Sequence, residues 1–103
     1  MQFPLILISH RNVYAVLVLR ILDAGGTDIT ATISRLTIND GSFTYTVDRT
    51  PADGPIYVAI GSTENQVITV TATDGTKNYA KSLTAKTYKA GNIYNLGWKM
   101  TLQ

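Results

Sequence analysis

Polar and apolar residues alternate with a period of two along most of this chain, and turn-forming residues interrupt the alternation at short intervals. Successive strand residues face opposite sides, so this period predicts strands rather than helices. Pro4 to Ser9 reads as a first short strand, with proline at its start, where a missing N–H does least harm. Asn12 to Leu22 is the strongest. Ala15, Leu17, Leu19 and Ile21 fall on one face; Tyr14, Val16, Val18 and Arg20 fall on the other. With both faces largely apolar, it is expected to be central and covered on both sides.

Asp23 to Asp28 reads as a turn. Ile29 to Ile33 alternates with Thr30 and Thr32, and Ser34 to Ile38 continues the extended run after a bend. Asn39-Asp40-Gly41-Ser42 is the best hairpin signal, read as a two-residue turn in which both central positions take positive φ. Phe43, Tyr45 and Val47 alternate with Thr44 and Thr46 on the return. Arg49 to Pro55 is a loop with two prolines, and Ile56 to Gly61 is a short strand. Ser62 to Asn65 turns the chain into Gln66–Thr73, and Asp74-Gly75 makes a second hairpin into Lys77–Lys86. After the Lys89–Asn92 turn, Tyr94, Leu96, Trp98, Met100 and Leu102 share one face of a final strand. About eight short strands at roughly 8–12-residue spacing predict an antiparallel β-sandwich of seven or eight strands. No repeat or linker divides residues 1–103, so one domain is expected.

Composition supports this picture. Thr occurs fifteen times and Tyr six, both types that pack well on a pleated surface. The nine Lys and Arg are scattered singly around a net charge of +2, so no phosphate-neutralising cluster forms and nucleic acid is not an expected partner. Lys77, Lys81, Lys86 and Lys89 come closest, but strand alternation would divide them between faces. Val13–Leu22 is too short to span a bilayer and carries Arg20. The absence of cysteine excludes a disulfide scaffold, a thiol nucleophile and a zinc ribbon.

Chemistry-bearing patterns are scarce. The sequence has no glycine-rich phosphate loop, G-x-S-x-G elbow, H-E-x-x-H pair or EF-hand loop. His10 is the only histidine and reads as a strand-end residue bonded to local backbone. Ser9 beside it would point to the opposite face, so the two do not make a nucleophile pair. Five of the seven acidic residues, Asp23, Asp28, Asp40, Asp53 and Asp74, sit at turns, where their side chains bond local backbone. Asp23 and Asp28 alone are too few carboxylates for a calcium site. No catalytic residue, metal ligand or cofactor is assigned, and an enzyme is not expected. Tyr79, Tyr88, Tyr94 and Trp98 are the candidates for an aromatic stacking platform. Alternation places Tyr94 and Trp98 in the core, leaving Tyr79 and Tyr88 as the ligand-facing candidates.

Several of these stretches resemble the C-terminal domain of Bacteroidales fimbrillin-like proteins, which are pilus subunits, pilus anchors or tips, and related surface lipoproteins. Phe3 to Arg11 is similar to that family's apolar strand ending in Ser/Lys-His, followed here by Tyr14-Ala15-Val16-Leu17-Val18. Gly26 to Thr30 and Ser34 to Ile38 resemble its second stretch. Ile68 to Gly75, Tyr79 to Leu83, Ala90 to Tyr94 and Trp98 to Thr101 follow its closing hairpin and final strand in order. The resemblance implies a transthyretin-like, Greek-key sandwich acting as a structural or adhesive module of a fimbria at the cell surface or outer membrane. It also implies assembly by β-strand complementation, in which main-chain bonds supply affinity and alternate side chains set the register. Implied partners are other pilus subunits, or a host or bacterial surface protein or glycan, with membrane contact only through an anchor this sequence does not carry. Homo-oligomers by edge-strand pairing are a further expectation. The resemblance carries packing and turn motifs, and transfers no residue-level site. The alternative is a stand-alone carbohydrate- or protein-binding sandwich using Tyr79, Tyr88 and the Arg49–Pro55 loop.

Overall fold

A computed structural model describes residues 13–103. The predicted strand Pro4–Ser9 and His10 lie outside the described residues. The chain forms two packed sheets, an all-β sandwich as the alternation predicts. The strands are β1 (Tyr14–Leu22), β2 (Arg35–Asn39), β3 (Thr44–Asp48), β4 (Ile56–Gly61), β5 (Thr63–Thr73), β6 (Asn78–Tyr88), β7 (Ile93–Lys99) and β8 (Thr101–Leu102). A three-stranded sheet has the order β4-β1-β7, and a five-stranded sheet has the order β3-β2-β5-β6-β8. All pairings are antiparallel except that of β1 with β7.

The core is the set of inward-facing positions. Ala15, Leu17, Leu19 and Ile21 of β1 pack with Ile56, Val58 and Ile60 of β4 and Trp98 of β7. From the larger sheet come Leu36, Ile38, Ile68, Val70, Ala72, Tyr79, Leu83 and Tyr88. At roughly 1.5–3 kcal/mol for each large apolar side chain removed from water, this cluster is the main stabilising term. The outer face of the five-stranded sheet accounts for much of the threonine. Thr46, Thr37 and Thr71 form one cross-strand row, and Thr44, Asn39, Thr69 and Ser82 form the next. Branched hydroxyl side chains satisfy strand geometry and remain hydrated.

Several expectations need correction. Ile29–Ile33 is not a strand, because Thr30–Thr32 forms a single 3₁₀ turn. The Asp28 carboxylate accepts from the Thr30 N–H at 2.9 Å and the Thr30 hydroxyl at 2.6 Å, closing the backbone locally. The buried Thr30 hydroxyl in turn accepts the Ile21 N–H at 2.8 Å. The final strand is two, since the chain leaves the small sheet at buried Met100 and joins the large one as β8. Leu102 consequently stands exposed instead of extending the Trp98 face. The predicted turn Ser62–Asn65 is mostly strand, because β5 starts at Thr63 and reaches Gln66 through bulges.

Both Asp-Gly hairpins form, but as four-residue loops in which only the glycine has positive φ. In each, the Asp carboxylate accepts two backbone N–H groups. Asp40 accepts from Ser42 and Phe43, and Asp74 from Thr76 and Lys77. Phe43 sits at the loop end and is exposed, while Tyr45 and Val47 turn inward. β1 is central as expected, but among the described residues only its inner face is covered. Its outer residues Val16, Val18 and Leu22 are half-buried and Tyr14 is exposed, with no layer over them among the described residues.

Candidate functional site

That uncovered outer face is the most distinctive surface of the described residues. The strand registers place Ala59, Val16 and Ile93 in one row and Tyr57, Val18 and Asn95 in the next. Arg20 and Gly97 follow, then Leu22 and Lys99. Tyr14, Tyr57 and Ile93 are all more than half exposed. A shallow depression of about 500 Å³ runs between Val18, Leu22, Pro55 and Gly97. Its polar rim is Asn95 and Arg20, whose guanidinium lies 3.3 Å from the Asp28 carboxylate. Apolar residues arranged contiguously on a sheet face are the usual mark of a protein contact.

Tyr79 and Tyr88 do not face a ligand. They are 7% and 5% exposed, and both belong to the core. Tyr79 is paired in register with buried Ala72, so it points inward. The Tyr88 ring meets Tyr94 edge-on, with centroids 4.9 Å apart, and burial holds its phenol above the usual range. The Tyr94 hydroxyl accepts from the Lys89 N–H at 2.8 Å and from Asn92, which hold its pKa below the usual value and close the turn into β7. Trp98 is buried, as its alternation implies. The exposed tyrosines are Tyr14 and Tyr57, and only their partnerless face distinguishes them from core positions of the same sequence pattern.

The loop Arg49–Pro55 is organised from within. Arg49 donates to the carbonyls of Thr30 at 2.8 Å, Ile33 at 3.0 Å and Ala52 at 2.8 Å, fastening the loop to the 3₁₀ turn. No local sequence signal marks this role, because two of the three carbonyls, those of Thr30 and Ile33, come from a distant segment. Asp23 spends Oδ1 on the N–H groups of Gly25 and Thr27. Asp28 is held below its ordinary pKa by the Thr30 hydroxyl and N–H, aided by Arg20. Asp40 and Glu64 share a small depression of about 140 Å³, but Asp40 is committed to its own turn. No group of three metal-ligating side chains comes together among the described residues.

Fold and surface together define a two-sheet β-sandwich with one apolar outer face. Comparison with known protein families, with characterised proteins and with solved structures finds no match.

Proposed function

We propose that this chain is a non-catalytic structural or adhesive module of a bacterial surface fimbria or a related surface protein, joined to its neighbours by β-strand complementation. The observation that carries this reading is the outer edge of β6. β8 pairs with it only at Tyr79 and Ala80, and Gln103 adds one bond to the Asn78 carbonyl. From Lys81 to Tyr88 that edge has no strand beside it among the described residues. A strand added there would gain main-chain bonds along its length, with side chains alternating between core and solvent. The likeness of the closing hairpin and last strand to fimbrillin-like proteins supports the same reading.

Immunogold labelling of intact source cells, with antibodies raised against this chain, tests it. Gold along surface filaments or at the outer membrane is the expected result. Label confined to the cell interior would overturn the proposal. Reading the DNA upstream of Met1 is a quicker check: an in-frame leader and further domain are expected.

A further inference from the structure

β7 is the other open edge on this side of the sandwich, and two hydrogen bonds fix where its backbone points. Val16 N–H donates to the Asn92 carbonyl, and Met100 N–H to the Leu22 carbonyl. Successive strand residues direct their N–H and C=O groups to opposite sides. The even-numbered residues of β7 therefore face β1, and Ile93, Asn95 and Gly97 present their N–H and C=O groups at the free edge. Among the described residues no strand pairs with it.

The sheet edges differ in how they are protected. The edge of β6 is already taken by β8 at Tyr79 and Ala80, and the rest of it is the stretch assigned above to a donor strand. That of β3 ends in Asp48, ion-paired to Arg35. β4 follows Pro55, and its terminal Gly61 N–H is taken by the Tyr45 hydroxyl at 2.9 Å. Charges, prolines and bulges are the devices that keep an edge from pairing. From Ile93 to Trp98, β7 has none of them.

Gly97 is the second observation. It does not have positive φ, and a Cβ built there would meet only Leu22 Cδ1, at an ordinary 3.8 Å. Glycine in a strand interior is costly and marks a place where another backbone or a ligand comes close. Nothing among the described residues requires it here. Ile93, Asn95 and Gly97 share the outer face, where Ile93 is 67% exposed and Gly97 floors the depression beside Val18, Leu22 and Pro55.

We propose that β7 pairs antiparallel with β7 of a second copy of this chain, about a twofold axis through Asn95. Asn95 then faces its counterpart and the two exchange both backbone bonds. Ile93 of each copy lies opposite Gly97 of the other, so an exposed side chain enters the depression that the missing side chain leaves. Lys99 falls opposite Gly91, and no like charges are opposed. The result is a six-stranded sheet with a continuous apolar outer face. An isologous contact closes on itself, so association stops at two.

Sedimentation of the full chain, from micromolar to millimolar concentration, tests the pairing. A monomer–dimer equilibrium is expected. N95K and N95D each place like charges across the axis, so each alone should be monomeric, and mixing them should restore the dimer. Gly97→Thr should leave the monomer at least as heat-stable and raise the dimer dissociation constant by about tenfold or more. A full chain that stays monomeric at millimolar concentration overturns the proposal. So does protection of the Asn95 amide in that monomer, which would mean that the edge is covered from within the same chain. A dimer indifferent to these substitutions, or no recovery on mixing, overturns the axis. The dimer does not depend on the fimbrial reading, since labelling inside cells would remove that function and leave this contact standing.

Discussion

Ala85 and Asn65 are the two non-glycine residues with positive φ among those described, at 54° and 55°. Both lie in the β5–β6 pair, where the register shifts between Thr63, Gln66 and Ile68. Asn tolerates that conformation, whereas Ala pays a steric cost of about 1 kcal/mol. Ala85→Gly removes the clash, so a gain in unfolding free energy of up to about 1 kcal/mol is expected in denaturant melts. Arg49 predicts the opposite sign. Its guanidinium satisfies three carbonyls, and charged hydrogen bonds contribute about 1.5–3 kcal/mol each at most. Arg49→Met keeps the stem and loses the bonds, and a loss of about 2 kcal/mol should follow. Gly61 belongs with these residues, since a Cβ there would stand 3.1 Å from the Tyr45 hydroxyl. A side chain at 61 would therefore have to push the Tyr45 hydroxyl, the partner of the Gly61 N–H, aside by a few tenths of an ångström.

At the scale of elements, the turns carry the acid sensitivity. Thr30 donors hold Asp28 below its ordinary 3.8, and the Lys77 and Thr76 N–H groups do the same for Asp74. A carboxylate with a lowered folded pKa contributes stability above its unfolded pKa and loses it as pH falls through the folded value. Stability from these two turns should be level above about pH 5 and fall as the pH drops below about 4. Asp28→Asn and Asp74→Asn should each flatten that fall, which melting temperatures across the acid range will show. The hairpins were legible because Asp-Gly chemistry is local. The 3₁₀ turn at Thr30–Thr32 was not. Its Ile-Thr alternation looks like a strand, and what redirects it is the neighbouring Asp28 carboxylate reinforced by Ile21 and Arg49, which come from other parts of the chain.

For the whole molecule, the governing feature is that β1 lies between β4 and β7. The parallel β1–β7 pairing joins strands from opposite ends of the described chain, so loop closure must precede its reward. Folding on the millisecond-to-second scale is expected in stopped-flow experiments, and a phase complete within microseconds would contradict this order of events. The same topology leaves one outer face hydroxylated and the other apolar.

Alternation and turn residues by themselves determined that the chain is all-β, roughly where its strands lie, and that Ala15, Leu17, Leu19, Ile21 and Trp98 are core. These are local consequences of a period of two and of side chains that bond their own backbone. Period alone cannot say whether a face is covered, because that depends on which sheet lies opposite. Only the tertiary structure decided that no described layer covers Val16 and Val18 while Tyr79 and Tyr88 close the core. It likewise decided that Met100 carries the chain from one sheet to the other and that the backbone of Asn95 and Gly97 is left at an edge. The physical reason is that burial and pairing belong to contacts between distant segments, and a strand's own sequence encodes only its two faces.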